Sequence, residues 1–175
     1  MHHLQTPRLY FRELRDDDAA GMFELDGNPA VHRYLGSQPL TELSQSLAMI
    51  RDIQAQYRDH GIGRYGAFLR DTNEFIGWAG LKFIPGPLNG QYNVYDLGYR
   101  FIERFWGQGY GYEAAKAWLD YGFTEMRLPV ISGYVDEQNA ASRRIMEKLG
   151  MQLGNTFEDE GDMCVWYEQA NPVLS

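Results

Sequence analysis

The stretch F-W-G-Q-G-Y-G-Y-E-A-A-K-A-W-L-D-Y-G-F, from Phe105 to Phe123, places three glycines at alternate positions directly before an alanine-rich run. Gly107, Gly109 and Gly111 give the backbone more conformational freedom than a plain turn needs. The run that follows predicts a helix from about Tyr110 to Phe123. Three glycines against the start of a helix indicate that something comes close to the backbone here.

A glycine-rich turn that opens a helix is a general site for anions. The first N–H groups of a helix have no partner inside it, and the helix dipole adds partial positive charge there. Two nucleotide-binding motifs do not fit. Tyr112 and Glu113 follow Gly111, so a Rossmann G-x-G-x-x-G is not met, and a Walker A loop would need Lys-Ser/Thr. On spacing alone, a strand-to-helix turn with glycines for close packing remains an equal alternative.

The bulk composition predicts one soluble globular domain over residues 1–175, with 44% apolar and 23% charged residues. No apolar run reaches the ~18 residues of a membrane span, and the start lacks a signal-peptide core, so no membrane association and a cytoplasmic location are expected. A net charge of −8 argues against a nucleic-acid partner. The single cysteine, Cys164, excludes an intrachain disulfide and offers no set of cysteine ligands, so no bound metal is expected.

Hydrophobic periodicity predicts a strand, two helices, three strands, a helix, a strand, a helix and two strands. That order is a mixed α/β fold, in which an antiparallel meander feeds a right-handed strand–helix–strand crossover. After the first strand, near residues 4–14, and a helix from Asp16–Asp18 to about Leu25, a helix over Leu40–Tyr57 is expected, with Thr41 as its N-cap and Gly61 after it. The other predicted elements are strands at Tyr65–Leu69, Phe75–Ile84, Tyr92–Ile102, Val130–Val135, Met151–Phe157 and Met163–Glu168, and a helix over Ala140–Leu149.

Four further blocks join the glycine stretch in a resemblance to a known family. The segment Trp106-Gly107-Gln108-Gly109-Tyr110-Gly111 is similar to the signature Arg/Gln-x-x-Gly-x-Gly/Ala of the GNAT acyl-CoA N-acyltransferases. Trp at the first position, followed later by Glu113-Ala114, resembles the RimJ/RimL-like branch. The other blocks, in order, are T-P-R-L-Y-F-R-E-L (6–14), N-P-A-V-H-R-Y-L (28–35), L-G-Y-R-F (97–101) and N-A-A-S-R-R-I-M-E-K-L-G-M (139–151).

The resemblance implies a GNAT-like fold: a mostly antiparallel central sheet, flanked by helices, whose central strands splay apart, here around Phe101 and Val135. It implies acetyl-CoA as co-substrate. Pantetheine would bond to the strand edge, and a backbone N–H near Phe101-Ile102 would stabilise the oxyanion. The coenzyme-binding residues implied are, along the strand, Tyr99, Arg100, Phe101 and Ile102, and, around the pyrophosphate, Gly107, Gln108, Gly109, Tyr110, Gly111 and Tyr112.

The implied reaction is direct attack of a primary amine on the thioester in a ternary complex. The acceptor would be a protein N-terminus or a small-molecule amine. Many family members donate a proton from a Tyr that is replaced here by Met146. In the RimJ/RimL-like pattern Asn-x-x-Ser, Asn139 would hold pantetheine and Ser142 would hydrogen-bond the sulfur; alternatively, Asn139 only caps the helix.

The resemblance implies that the general base can come from the acidic segment after the late helix, and Glu160 is the predicted base. Glu158, Asp159 and Asp96 are the other carboxylate candidates, and a relayed water is the alternative to a carboxylate. The acceptor is expected between the first two helices, the loop 85–91 and the final hairpin. Cys164 lies in the apolar run M-C-V-W-Y, which favours a buried structural role over an acyl-cysteine intermediate.

Two alternative functions stay open. A non-catalytic acyl-CoA-binding or regulatory module could keep the loop and lack turnover, and a nucleotide-binding module could use the same glycines. The acidic runs 16–18 and 158–162 are either solvated loops or a field that favours a cationic acceptor. Many relatives are dimers, so a homodimer is among the expectations.

Overall fold

The computed structural model describes residues 4–174 and contains one seven-stranded sheet. The order across the sheet is β1-β2-β3-β4-β5-β7-β6, and every neighbouring pair is antiparallel except β4 and β5. The predicted mixed α/β fold with a mostly antiparallel sheet is confirmed. The strands are β1 (Leu9–Arg12), β2 (Arg64–Leu69), β3 (Phe75–Ile84), β4 (Val94–Phe101), β5 (Val130–Asp136), β6 (Gln152–Asp159) and β7 (Asp162–Ala170).

Four α-helices cover the sheet: α1 (Ala19–Asp26), α2 (Leu43–His60), α3 (Tyr110–Thr124) and α4 (Ala140–Lys148). Their apolar residues fall into two buried clusters. One contains the inner faces of α3 and α4 with Trp118 at its centre, and the other contains those of α1 and α2 with Met22 and Ile50. The sheet therefore separates an α1/α2 side from an α3/α4 side.

The start of α2 differs from the prediction. The helix begins at Leu43 with Glu42 as its N-cap, so Thr41 lies outside it. The Gln45 side-chain oxygen accepts hydrogen bonds from the N–H groups of Thr41 (2.8 Å) and Glu42 (2.9 Å). This reverse cap makes Glu42 the N-cap, so the helix begins one residue later than it would with Thr41 as the cap. Gly61 follows the helix in the left-handed region (φ 69°), as predicted.

The parallel pair β4 and β5 is joined at one position, where Asp96 faces Ser132. On its other edge β4 pairs with β3 along its full length, and the Ile102 N–H donates to the Ile76 carbonyl at 2.9 Å. In an antiparallel ladder every second residue bonds to the partner, so the backbone groups of Tyr99 and Phe101 face β5 instead. They lie beyond the last paired position, which confirms splayed central strands.

A buried arginine fixes the backbone at the point where the two strands part. Arg64 Nη1 donates to the carbonyls of Gly80 (2.6 Å) and Asp96 (2.7 Å), and Nη2 pairs with the Asp96 carboxylate. A Cβ on Gly98 would lie 2.6 Å from Arg64 Nη2, so the guanidinium occupies the space that a side chain at Gly98 would fill. Arg64 therefore holds β3 and β4 together beside the only paired position that β5 shares with β4.

No helix within residues 4–174 has both the length and the apolar character needed to span a bilayer.

Replacing Arg64 by Met should lower the free energy of unfolding by about 3 kcal/mol, because it leaves the Asp96 carboxylate buried without its partner. Urea denaturation measures the change. Lys116→Met is the matched control, since it removes a cation from the exposed pair with Asp120 and should cost less than about 0.5 kcal/mol. Equal losses in the two variants would contradict the role given to Arg64.

Candidate active site

The glycine loop between β4 and α3 presents free backbone donors. Gly107 (φ 71°) and Gly109 (φ 85°) adopt the left-handed conformation, and Gly109 is the N-cap of α3. Within residues 4–174, the N–H groups of Gly107, Gln108 and Gly109 have no hydrogen-bond acceptor. A Cβ on Gly107 would find nothing within 4 Å, so there is open space at the loop. These features fit the predicted pyrophosphate cradle.

Gly111 serves a different purpose from the other two glycines. It lies inside α3, outside the left-handed region. A Cβ there would lie 3.1 Å from Ile145 Cδ1 of α4 and 3.6 Å from the ring of Tyr99. Gly111 therefore allows the first turn of α3 to approach both α4 and β4.

The signature tryptophan connects the loop to the strand before it. Trp106 Nε1 donates to the Phe101 carbonyl at 2.7 Å, although the side chain is 48% exposed. This bond occupies the carbonyl of Phe101 and leaves its N–H directed towards β5. The Phe101 N–H is thus available as a donor in the gap, whereas the Ile102 N–H is already bound to Ile76.

Two of the four predicted strand residues point away from the gap because of strand alternation. Arg100 bonds through its backbone to Trp78 of β3, and its side chain forms an ion pair with the fully buried Asp26 on the α1/α2 side. His32 Nε2 lies 3.1 Å from the same Asp26 oxygen. Ile102 is buried in the cluster of α1 and α2. The structure therefore leaves Tyr99 and Phe101 as the residues of β4 that face β5.

The Tyr99 side chain was missed as a functional candidate, since the sequence assigned this residue only a backbone role. Its hydroxyl is buried and has no hydrogen-bond partner among the described residues. Burial raises the pKa of Tyr99 to about 12, with the neighbouring Ser142 side chain opposing the shift. Tyr99 therefore remains a protonated donor next to Ser142, on the α3/α4 side.

Asn139 caps α4, which both interpretations of this residue allow, and its contact with pantetheine stays a prediction. Its Oδ1 accepts a hydrogen bond from the Ser142 N–H at 3.1 Å. The cap places Asn139 and Ser142 in the first turn of α4, with Ser142 half-buried beside Tyr99. Met146, one turn further along, is buried in the core at 1% exposure and packs towards Gly133. The position on α4 where many family members have a proton-donating Tyr is therefore occupied by a thioether that cannot donate a proton.

A cavity of about 620 Å³ opens on the α2 side of the sheet, where an acceptor was expected. It lies between α2, the end of β3 with the loop that follows, Tyr134 of β5 and the β6–β7 hairpin. Tyr134 stands just past the paired position of β4 and β5, so the cavity adjoins the gap. The acidic and basic side chains that line it are Asp52, Asp59, His60, Lys82, Asp159 and Glu160.

The carboxylates named as base candidates have different surroundings. Glu160 lies in the two-residue turn of the β6–β7 hairpin with φ 49°, exposed at the rim of the cavity. Asp159 is half-buried, and the pKa of Tyr134 is raised chiefly by burial and further by Asp159. Asp96 is buried and paired with Arg64, so it is not available as a base. Glu158 is exposed and does not line the cavity.

Neither a nucleophilic thiol nor a metal cluster is present beside the gap in the described part of the chain. Burial raises the pKa of the Cys164 thiol to about 11, which keeps it in the unreactive thiol form. Across residues 4–174, no three His, Cys, Asp or Glu side chains come together as ligands for a metal ion.

The N-terminal segment reaches the glycine loop, a contact that sequence reasoning also missed. Arg8 bonds to the Gln108 carbonyl and to Glu113, and Thr6 Oγ1 donates to Glu113 at 2.6 Å. Burial alone would raise the pKa of Glu113, but hydrogen bonds from Thr6 and Arg8 hold it below its ordinary value. The signal was present in the T-P-R block and in the Glu of the signature, which were treated as separate motifs.

Comparison with known proteins agrees with this geometry. The family described as "Acetyltransferase (GNAT) domain" matches residues 8–152. The uncharacterized protein YkkB of Bacillus subtilis is 34% identical over 167 residues, covering 95% of this chain and 94% of that protein. An acetyltransferase structure from Agrobacterium tumefaciens has a TM-score of 0.79 at 28% identity, covering 97% and 95% of the two chains.

A structure of RimL, a ribosomal L7/L12 alpha-N-protein acetyltransferase in complex with coenzyme A, has a similar fold. Its TM-score is 0.79 at 19% identity, and the match covers 97% of this chain and 98% of that one. At that identity the likeness concerns the fold alone. The family match spans most of the chain, and the chain therefore belongs to the GNAT acetyltransferase family, as an enzyme of the N-acetyltransferase type.

Proposed function

We propose that this protein transfers the acetyl group of acetyl-CoA to a primary amine by direct attack in a ternary complex, within one domain over residues 1–175. The observation that carries the proposal is the gap between β4 and β5, which ends at the free N–H groups of the glycine loop. Bound acetyl-CoA supplies an activated acetyl thioester. The chain's own residues bind it, orient it and move the protons.

Residues on both sides of the gap would hold the coenzyme. The N–H groups from Gly107 to Tyr112 would hold the pyrophosphate, because they open α3 without internal partners. The backbone of Tyr99 and Phe101 would bond to pantetheine as an added strand does. Asn139 would contribute its side-chain amide N–H from the start of α4, since its Oδ1 already serves as the cap.

The acceptor would enter from the α2 side, through the 620 Å³ cavity beside Tyr134. Acidic side chains outnumber basic ones along its wall, so an amine that carries positive charge is favoured. RimL, a ribosomal L7/L12 alpha-N-protein acetyltransferase, supports a peptide N-terminus as one such acceptor. A small-molecule amine fits the same chemistry.

Protons would move on opposite faces of the sheet. Glu160 is the proposed base on the cavity side, because Asp159 is occupied with Tyr134 whereas Glu160 makes no hydrogen bond or ion pair with the described residues. On the α3/α4 side, Ser142 is the proposed hydrogen-bond donor to the sulfur, and the protonated Tyr99 hydroxyl lies next to Ser142.

Gly109→Val should weaken coenzyme A binding more than about tenfold, because a branched side chain is strained at φ 85° and would disturb the loop donors. Gly111→Val should also weaken binding, through a clash with Ile145. Calorimetric titration with coenzyme A measures both. Gly61→Val is the control: it has φ 69° and open space, but lies at the far end of α2. Unchanged affinity in a folded Gly109 variant would contradict the cradle.

Thiol release from acetyl-CoA, followed over a set of amines and N-terminal peptides, tests turnover directly. Glu160→Gln should lower kcat about a hundredfold and Ser142→Ala about tenfold, with little change in acetyl-CoA affinity. Glu158→Gln is the control, since it lies on the same hairpin away from the cavity. If Glu160→Gln and Glu158→Gln have the same kcat, Glu160 is not the base. Coenzyme A binding without thiol release for any amine would favour a non-catalytic module.

A further inference from the structure

We infer that Arg8, from the N-terminal segment, is a positioning residue that holds the glycine loop in its anion-binding shape. Arg8 lies outside the loop signature and about a hundred residues before it, and it makes no contact with the cavity on the α2 side. The inference rests on the proposed role of Gly107 to Tyr112 in binding coenzyme A. Three kinds of contact carry it.

The Arg8 side chain joins the loop to the first turn of α3 through three contacts. Its Nη1 donates to the Gln108 carbonyl at 2.8 Å, and its Nε donates to Glu113 Oε2 at 2.6 Å. Its guanidinium carbon lies 4.3 Å from the centre of the Tyr110 ring. A planar guanidinium can make two directed bonds and stack at the same time, which a lysine ammonium cannot.

The bond to the Gln108 carbonyl controls the direction of a donor. In a trans peptide the carbonyl oxygen and the next N–H point in opposite directions, so the Gly109 N–H points away from Arg8. Gly107 and Gly109 lie on either side of Gln108 in the left-handed conformation, and as glycines both lack the Cβ that restricts backbone rotation. Without Arg8, the peptide unit of Gln108 and Gly109 would be free to turn its carbonyl towards the anion.

The contact with Glu113 reduces the repulsion between its carboxylate and an anion bound at the start of α3. Glu113 lies in the first turn of α3, close to where an anion is expected to bind. Its Oε1 accepts from Thr6 Oγ1 at 2.6 Å and from the Arg8 N–H at 3.0 Å, so the carboxylate is turned towards the N-terminal segment. Arg8 thus neutralises Glu113 while fixing the carbonyl of Gln108.

Arg8→Met should weaken coenzyme A binding about tenfold by calorimetry, because it removes two charge-assisted bonds that shape the loop. In the unliganded variant, the Gly109 amide should exchange with solvent faster than in the wild type. Turnover of S-acetylpantetheine, which lacks the diphosphate, should stay unchanged. Arg8→Lys should not restore coenzyme A affinity, since charge alone does not fix the Gln108 carbonyl.

Arg70→Met is the matched control. Arg70 follows β2, and its Nη1 donates to the Thr6 carbonyl at 3.0 Å, so the change removes a cation that contacts the N-terminal segment but not the loop. It should leave coenzyme A affinity unchanged. Equal affinities in Arg8→Met and Arg70→Met, full affinity in Arg8→Lys, or an equal loss with S-acetylpantetheine would each overturn the role of Arg8. Absence of coenzyme A binding by the wild type would instead contradict the proposed function itself.

Discussion

The single paired position between the parallel strands β4 and β5 is the constraint on which the rest of the site depends. Asp96 faces Ser132 there, and past it the two strands diverge. Arg64 makes that point rigid, since it bonds to the carbonyls of Gly80 and Asp96 and neutralises the Asp96 carboxylate. A gap in a sheet exposes unpaired backbone groups, which is tolerable only where a ligand or water satisfies them.

The gap gives the two sides of the sheet different chemistry. On the α3/α4 side the backbone donors of the loop, Ser142 and the buried hydroxyl of Tyr99 converge. On the α2 side an acidic cavity adjoins Tyr134. The three glycines of the loop serve two needs: Gly107 and Gly109 permit left-handed turns, whereas Gly111 permits close packing against α4. Under the proposed function, acetyl-CoA and the amine would therefore bind from opposite faces.

Much of the fold could be predicted because its local signals are strong. The strand Phe75–Ile84 and the start of α3 at Tyr110 agree with the periodicity and the glycine stretch. The start of α2 was placed too early because the Gln45 side chain accepts from the Glu42 N–H, which makes Glu42 rather than Thr41 the N-cap. Ends of elements depend on such single side chains, which periodicity does not report.

The site was less predictable than the fold because it depends on contacts between distant segments. A motif names consecutive residues, so Arg100 and Ile102 were grouped with Tyr99 and Phe101, although alternation turns them to the other edge of β4. Arg8 and Glu113 belong to different blocks, and only the folded chain brings them together. Strand alternation could have been applied to the sequence alone, whereas the contact between Arg8 and Glu113 is visible only in the structure.

The most direct measurement is a coenzyme A titration followed by two-dimensional nitrogen–proton NMR of the backbone amides. If the gap and the loop bind the coenzyme, the largest shifts should occur at Tyr99, Phe101 and the amides from Gly107 to Tyr112, because these are the free donors of β4 and α3. Shifts concentrated instead on α2 and the β6–β7 hairpin, with the loop amides unmoved at saturation, would contradict the account.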